Sequence, residues 1–525
     1  MSMINFGIDL GTTNSLISRF NSGTVEVFRN PRGFRESLPS VVGYRNDRIL
    51  VGVKAEEFAE RDPKNVFRCF KRKMGTAEVF PIPSLGQSKS PVELSAEVLK
   101  ELKTFIHTGE VPQAAVITIP ASFDMRQANA TKEAARAAGF HQVLLLQEPI
   151  AASIAYANSE RGRDLEGSQW LVYDLGGGTF DVALVRIADG ELTVVDHEGN
   201  NYFGGMDFDQ GIVEQLIVPE LERLGSFEDL IPEMHSSSGR YNTLWHTLLK
   251  LAEEAKIELS HSTSTEIDFS IGNDIEDDVG DIIEGCLTIT RTDFESVIRD
   301  AVDTSAQMIK KLLTRNALRP KDLEFVLMVG GSTFIPYLRT RIGELLDISV
   351  NTGIDPTNAI VIGAAYYAGT KELELNATDR EEEHAATSLK VRMAYERSTR
   401  ESEELFAARI DGDVDGLFYR ITRNDGGYDS GRKILTPRLQ EDLPLQEDAF
   451  NCFTLRIYDS LNNLVPTEIP AIQIAHGKYA VAGQMLPQDV CLILDDEKSR
   501  EPALSCVFQR NTVLPAHRKQ TVGLA

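Results

Sequence analysis

A short segment, Leu171 to Val182 (LVYDLGGGTFDV), combines residue types that can hold a phosphate group. β-Favouring residues precede Asp174 and resume at Phe180, so the pattern predicts two strands joined by a glycine-rich turn. Three successive glycines, Gly176–Gly178, cost conformational entropy, which indicates a backbone that must approach another group closely. Successive N–H groups in such a turn bind anions, and Thr179 adds a hydroxyl donor.

The acidic residues that flank this turn indicate a metal ion as well as a phosphate. Asp174 and Asp181 would repel a bare phosphate group by their charge. A Mg²⁺ ion is usually held through waters and one or two carboxylates together with phosphate oxygens. The segment therefore predicts a site for a metal-bound phosphate.

A second segment near the start of the chain repeats the same order of residues. Phe6 to Ser15 (FGIDLGTTNS) has an apolar strand, then Asp9 and Gly11, then the hydroxyls of Thr12 and Thr13. Each copy is followed by another strand-like run. A duplicated phosphate-binding hairpin predicts two related lobes that face one ligand.

Composition limits the class of protein and its partners. The chain has 525 residues, a formal net charge of −25 and five cysteines. The negative charge argues against nucleic acid and against an anionic membrane as partners. The cysteines are scattered and form no C-x-x-C pair, which favours reduced thiols in a cytoplasmic protein. No apolar run approaches the ~18 residues that a membrane-spanning helix needs.

The order of predicted elements divides the chain into three parts. Between residues 94 and 158 helices alternate with strands, which is typical of βαβ crossovers and an α/β fold. The segment Lys371 to Ser388 has many charges and no apolar face, so it is predicted to be an acidic linker. Leu389 to Ala408 is helical by composition, and the residues after it are short β-type runs between turns. The predicted domains are therefore residues 1–370, a linker and helix at 371–408, and a β-rich domain at 409–525.

The first part of the chain resembles the heat-shock protein 70 family of molecular chaperones, the DnaK type, within the actin/sugar-kinase/heat-shock ATPase superfamily. The resemblance covers about residues 4 to 370, and the motifs that carry it are GIDLGTTNS, VYDLGGGTFDV, QEPIAASIAY, FGGMDFD, LAEEAKIELS and MVGGSTFIP. It implies a two-lobed, actin-like ATPase domain, built from duplicated ribonuclease-H-like lobes, with ATP at the bottom of the cleft.

The resemblance also implies roles for individual residues. Lys71 would orient the attacking water, Glu148 and Asp174 would surround Mg²⁺ and water, and Thr179 would complete the catalytic group. Asp9 and Asp181 would lie near bound K⁺, so the implied metal-site residues are Asp9, Asp174 and Asp181. The implied nucleotide-binding residues are Gly11, Thr12, Thr13, Gly176, Gly177, Gly178, Gly204, Gly205, Glu253, Lys256, Ser260, Gly330, Gly331, Ser332 and Phe334. The implied cofactors are ATP or ADP, Mg²⁺ and K⁺.

The sequence departs from this family at several positions. Phe334 replaces an arginine at the adenine edge, and Thr357 stands where an aspartate is usual. The segment between Lys71 and the helix at Leu94 is shorter than in most members. The family's leucine-rich linker is not present between the ATPase and β regions. The chain is therefore expected to be a divergent member with a trimmed nucleotide-binding domain and an atypical β domain.

Four functional hypotheses follow from the resemblance. The first is an ATP-hydrolysing chaperone whose nucleotide state controls how the β domain binds an unfolded or extended polypeptide, with a J-domain co-chaperone and a nucleotide exchange factor as partners. The second is a specialised relative that uses the same ATP switch for one dedicated protein client. The third is a small-molecule kinase, for which no separate base aspartate is found. The fourth is an actin-like filament.

Overall fold

The fold was analysed in a computed structural model. It describes residues 4–508 apart from residues 22, 47, 60, 160–164, 189, 237, 270–274, 372, 374–388, 400, 448, 468, 477–479, 482–489 and 496–501. Most of the predicted linker at 371–388 therefore lies outside the described residues.

The first lobe is built on a sheet that carries the N-terminal motif. Its strands, in spatial order, are Gln142–Gln147, Ala114–Ile119, Phe6–Asp9, Asn14–Asn21 and Thr24–Val27, with Leu38–Pro39 paired to Asn14–Asn21. Phe6–Asp9 runs antiparallel to the strand that follows it in sequence and parallel to Ala114–Ile119. All six residues of Ala114–Ile119 are buried and all but Thr118 are apolar, as expected of a parallel strand that is covered on both faces.

The second lobe repeats this arrangement around the central motif. Its sheet has the order Val350–Asn351, Val326–Val329, Gln169–Leu175, Phe180–Ala188, Glu191–Asn200 and Ala480–Val481. Gln169–Leu175 is antiparallel to Phe180–Ala188 and parallel to Val326–Val329. The two motifs therefore occupy equivalent places in two sheets of the same topology, and the mixed α/β fold that the sequence predicts is confirmed.

Helices and short ladders complete the two lobes. The α-helices are Val53–Ala59, Pro91–Lys103, Met125–Ala137, Glu148–Ser159, Gly205–Ile212, Val218–Leu224, Leu230–His235, Asn242–Leu259, Arg291–Arg315, Pro336–Leu346 and Ala359–Ala368. Short helical turns are Pro63–Asn65, Phe70–Lys73, Val213–Ile217, Pro320–Asp322 and Gly331–Phe334. The small sheets are Arg48–Val51 with Val42–Arg45 and Val66–Phe67, Phe80–Ile82 with Gln87–Lys89, Ser264–Asp268 with Cys286–Thr290, and Ile275–Glu276 with Ile282–Ile283. None of the helices among the described residues is long and apolar enough to span a membrane.

Local sequence explains where several helices begin. Ser90, Asp124 and Thr290 are N-cap residues, and each forms a capping box with the side chain three positions later. These boxes satisfy backbone N–H groups that lack partners in the first turn.

The helix Ala359–Ala368 joins the two lobes through very close packing. A Cβ atom added to Gly7 would lie 2.3 Å from the backbone nitrogen of Ala365, and one added to Gly363 would lie 1.8 Å from the carbonyl oxygen of Ala151. Glycine is required at both positions because any side chain would separate these elements. The close packing fixes the strand Phe6–Asp9 and the helix Glu148–Ser159 against a common support.

The C-terminal part is a β structure that begins earlier than the sequence predicts. One sheet contains Lys390–Ala394, Glu403–Asp411 and Arg438–Pro444, and another contains Ser398–Thr399, Ile472–His476, Phe450–Tyr458, Phe418–Arg423 and Lys433–Ile434. Val490–Asp495 and Pro502–Phe508 form a further hairpin. The helix predicted at Leu389–Ala408 is wrong, because Glu404, Phe406, Ala408 and Ile410 are buried at every second position, which is the period of a strand. The short segment before the helix Pro91–Lys103 contains a hairpin, Phe80–Ile82 with Gln87–Lys89.

This β region contacts both lobes of the first part. The ring of Phe450 lies 4.9 Å from the ring of Phe20 on the first-lobe sheet, measured between centroids. The strand Ala480–Val481 pairs in parallel with Glu191 and Leu192 at the edge of the second-lobe sheet. Each lobe therefore has one contact through which a movement of that lobe could be transmitted to the β region.

Candidate active site

The first glycine turn, between Phe6–Asp9 and Asn14–Asn21, is sterically fixed. A Cβ atom on Gly11 would lie 1.9 Å from the carbonyl oxygen of Asn14, so the turn admits only glycine there. The hydroxyl of Ser40 donates to the Gly11 carbonyl at 2.8 Å, and the Ser40 N–H donates to the Thr13 carbonyl at 2.7 Å. The buried Thr13 hydroxyl has no hydrogen-bond partner among the described residues.

The second glycine turn is held from behind by three donors. The N–H of Gly205 and the hydroxyl of Ser332 both donate to the Gly176 carbonyl, at 3.0 and 2.9 Å. The N–H of Met206 donates to the Gly177 carbonyl at 2.7 Å. These bonds fix the carbonyl groups of Gly176 and Gly177, so contacts within the protein are enough to define the shape of the turn.

The two turns face each other across the cleft and are in contact. A Cβ atom on Gly177 would lie 2.2 Å from the Thr13 hydroxyl oxygen, and one on Gly178 would lie 2.8 Å from Cγ2 of Thr12. The guanidinium group of Arg72, from the first lobe, donates to the carbonyl of Gly178 in the second. A cavity of about 910 Å³ lies at this junction and is lined by residues of both turns. One ligand in this cavity can therefore contact both lobes.

Lys71 and Glu148 form a buried ion pair at the wall of this cavity. Lys71 Nζ lies 2.9 Å from Glu148 Oε1, and the side chains are only 5% and 9% exposed. Burial by itself lowers the pKa of Lys71, but the carboxylates of Glu148 and Asp9 outweigh it and raise that pKa above its ordinary value. The ammonium group is therefore charged at neutral pH and held in one position.

Three further carboxylates surround this pair. Burial, followed by the charge of Glu148, raises the pKa of Asp9 and of Asp181 to about 7. The pKa of Asp174 is raised well above its usual range, first by burial and then by the charges of Glu148 and Asp181. The hydroxyl of Thr118 donates to Asp9 Oδ1 at 3.0 Å.

This set of oxygen donors fits a hard cation. Four carboxyl groups share one lysine here, and the pKa is raised in Asp9, Asp174 and Asp181. A hard cation such as Mg²⁺ prefers oxygen ligands and would stabilise their ionised forms. No group of three or more metal-binding side chains is arranged as a complete metal centre among the described residues. A Mg²⁺ ion that keeps waters and binds phosphate oxygens would not need such a centre.

The opposite wall of the cavity comes from the second lobe. Glu253, Lys256 and Ser260 lie along the helix Asn242–Leu259 and its C-cap. Gly330 has a φ of +85°, and a Cβ atom on it would lie 2.4 Å from the carbonyl oxygen of Leu175. Glycine there lets the turn that carries Ser332 approach the end of the strand Gln169–Leu175.

Comparison with known proteins identifies the family. The model of the Hsp70 protein family matches residues 5–82 and 78–403. The chain belongs to the Hsp70 family.

Several Hsp70 chaperones of bacteria are similar to this chain over 69% of its length. The Chaperone protein DnaK of Thermosipho africanus is 37% identical over 371 residues, which is 69% of this chain and 58% of that protein. The DnaK of Thermotoga neapolitana is 38% identical over 367 residues, and that of Mycoplasma mycoides is 35% identical over 365 residues, with the same coverage. The match spans less than two thirds of the length of these relatives.

The Hsp70 fold brings most of the predicted site residues to one cavity. Those that line it are Asp9, Gly11, Thr12, Thr13, Lys71, Glu148, Asp174, Gly176, Gly177, Thr179, Glu253, Lys256, Ser260, Gly330, Gly331, Ser332 and Phe334. Gly178, Gly204, Gly205 and Asp181 are not among the lining residues. Gly204 and Gly205 pack behind the second turn, where a Cβ atom on Gly204 would lie 2.6 Å from the Gly178 nitrogen.

Several residues of this Hsp70 site were not predicted from the sequence. Asp209 binds Lys256, whose Nζ lies 2.6 and 2.8 Å from the two carboxylate oxygens. Arg72 crosses the cleft beside the predicted Lys71. Asp209 belongs to the FGGMDFD motif, and Arg72 directly follows the predicted Lys71, so both lie beside residues that the sequence had marked.

Proposed function

We propose that this chain binds Mg²⁺-ATP in the cleft between the two lobes and hydrolyses it to ADP and phosphate. The observation that carries the proposal is the contact of two related glycine turns at one cavity, beside a buried lysine–carboxylate pair. Phosphoryl transfer to water needs mainly positioning and neutralisation of charge. The cavity has groups for both tasks.

The residues divide this work among them. Backbone N–H groups of the two turns and the hydroxyls of Thr13 and Thr179 bind phosphate oxygens. Lys71, charged and fixed by Glu148, orients the attacking water and stabilises negative charge on the transferred group. Glu148 and Asp174 would hold a Mg²⁺ ion, which would supply further neutralisation of charge.

The nucleotide state would control the β region, which binds an unfolded or extended polypeptide. Two contacts support this coupling, the Phe20–Phe450 ring contact on the first lobe and the pairing of Ala480–Val481 on the second. A ligand that holds the lobes together alters the spacing of these two points, and only a difference in affinity between two states can drive release. By analogy with Hsp70 proteins, a J-domain co-chaperone and a nucleotide exchange factor would assist this cycle.

The second candidate is a specialised chaperone that serves one dedicated client. It is favoured by the limits of the similarity, because the family model ends at residue 403 and the relatives match only 69% of the chain. A β region that lies mostly beyond residue 403 has its own surface and its own choice of partner.

One pair of assays tests the ATPase proposal. Lys71→Ala and Thr179→Ala should each lower the rate of ATP hydrolysis by about 10²-fold or more, because each removes a group that acts on the transferred phosphate. Lys73→Ala is the matched control, since Lys73 lies two residues away but pairs with Glu78 outside the cavity. If both site variants hydrolyse ATP like the parent, the site is assigned wrongly.

A binding assay separates the two candidates for the β region. Affinity for a library of unrelated extended peptides should be weaker with ATP than with ADP if the chain is a general chaperone. Equal affinity with both nucleotides contradicts nucleotide control. If the chain binds one protein and no peptide in the library, the result supports the specialised chaperone with a dedicated client.

A further inference from the structure

Phe34 has an unusual conformation and an unusual exposure. Its φ is +58°, which is rare for a bulky side chain, and its ring is 77% exposed. The residue therefore carries backbone strain without burying its ring against the protein. Strain of this kind is concentrated where a side chain has a functional position to hold.

The loop that carries Phe34 is fastened at both ends and across the cleft. The Asn30 N–H donates to the Arg35 carbonyl at 2.8 Å, and the Phe34 N–H donates to the Asn30 carbonyl at 2.9 Å. Glu36, which pairs with Arg29, accepts a 2.8 Å hydrogen bond from the side-chain amide of Asn358 in the second lobe. The loop is thus held over the cleft rather than left to project into solvent.

Phe34 lines the nucleotide cavity together with two other exposed apolar side chains. Phe334 is 39% exposed and Ile257 is 56% exposed, and both line the same cavity from the second lobe. Ile257 lies on the helix that also carries Lys256, and the guanidinium group of Arg339 lies 5.5 Å from the Phe334 ring. Three apolar surfaces from two lobes face one space, although each would be more stable if it were buried.

We infer that Phe34 is a base-contacting residue, which stacks on the base of the bound nucleotide from the first lobe while Phe334 contacts it from the second. An aromatic ring stacks favourably on a base and covers its face whatever hydrogen-bonding groups lie on the edge. Burial of the ring by the base gives the strained residue a contact that it lacks in the free protein. The inference rests on the proposed binding of ATP and adds to it a residue that contributes affinity for the base.

The variant Phe34→Asn tests this inference without disturbing the loop. Asparagine tolerates positive φ, so the variant should have a thermal unfolding temperature equal to or above that of the parent. Its affinity for Mg²⁺-ATP, measured by calorimetry with the full chain, should fall about tenfold. Its affinity for Mg²⁺-tripolyphosphate, which has no base, should stay at the parent value.

Two further variants make the test specific. Phe34→Trp should bind Mg²⁺-ATP at least as tightly as the parent, because it keeps an aromatic face. Val111→Asn is the control for loss of an exposed apolar side chain outside the cavity, and it should change neither affinity.

The results distinguish failure of this inference from failure of the proposed function. If Phe34→Asn binds Mg²⁺-ATP as tightly as the parent, or loses affinity for tripolyphosphate equally, the ring does not contact the base and the inference is overturned while ATP binding stands. If the parent binds no Mg²⁺-ATP, the proposed function is overturned, and this inference with it.

Discussion

Lys71 and Glu148 lie 77 residues apart in the chain, and their side chains meet at 2.9 Å in the interior of the protein. Lys71 belongs to a short helical turn that follows the first glycine hairpin, and Glu148 is the first residue of the helix Glu148–Ser159. A buried pair of this kind works as a unit, since each charge has lost water and depends on the other.

The pair should therefore show strong non-additivity. Lys71→Ala should lower ATP turnover by about 10²-fold, and Glu148→Gln by about tenfold or more, because the lysine loses its orienting charge. The double variant should be no slower than Lys71→Ala alone within a factor of about 3. Thermal unfolding of each variant checks that folding is retained, and fully additive losses would contradict a shared role.

Because the two turns are in contact, substitution by alanine should have different effects at the neighbouring residues Gly176 and Gly177. Gly177→Ala places a Cβ atom 2.2 Å from the Thr13 hydroxyl and should push the turns apart, with a loss of about 10²-fold in ATP turnover. Gly176→Ala is the matched control, because its Cβ atom would meet nothing closer than the Thr179 carbonyl oxygen at 3.8 Å. Neither glycine has a positive φ that alanine would avoid. Equal losses in both variants would mean that flexibility, rather than space between the turns, matters.

The Asp209–Lys256 pair makes stability depend on pH. Burial, offset in part by Lys256, raises the pKa of Asp209 from 3.8 to about 6. Between these two values the folded state binds the proton and the unfolded state does not, so the contribution of Asp209 to stability falls as pH rises and is constant above about 6.

The variant Asp209→Asn reports this effect directly. The free energy of unfolding of the parent minus that of the variant should fall as pH rises from 4 to 6, by at most about 1.4 kcal/mol per pH unit. Denaturant titrations at pH 4.5, 5.5 and 7.5 measure it. Asp277→Asn is the control, because backbone N–H donors lower the pKa of Asp277 below 3.8, so its contribution to stability should change little between pH 4.5 and 7.5. A difference that rises with pH for Asp209→Asn would contradict the environment described here.

The sequence was sufficient to predict the structure wherever a motif also determines its own local conformation. The glycine turns at Gly11 and Gly176–Gly178 follow strands of strong β pattern, and the duplication places them in equivalent positions of two sheets. The helix predicted at Leu389–Ala408 failed because glutamate, alanine and arginine favour helices in isolation, whereas burial at every second residue favours a strand. Asp209 and Arg72 were missed because their roles depend on partners that lie 47 and 106 residues away.

Contact between the β region and the first lobe should transmit the nucleotide state. Phe450→Ala removes a ring that packs on Phe20 and should reduce the ratio of peptide affinities measured with ADP and with ATP toward 1. Phe418→Ala is the control, because the Phe418 ring packs against Arg432 within the β region. The rate of ATP hydrolysis in the absence of peptide should not change in either variant. An unchanged affinity ratio in Phe450→Ala would exclude this contact as the route.

One triphosphate should be held by both glycine turns at once. Amide hydrogen exchange with and without Mg²⁺-ATP tests it most directly, read at peptides that contain Gly11–Thr13 and Gly176–Thr179. The nucleotide should slow exchange in both turns together, and the variant Gly177→Ala should show less protection in both. Protection of only one turn, or of neither, would contradict it.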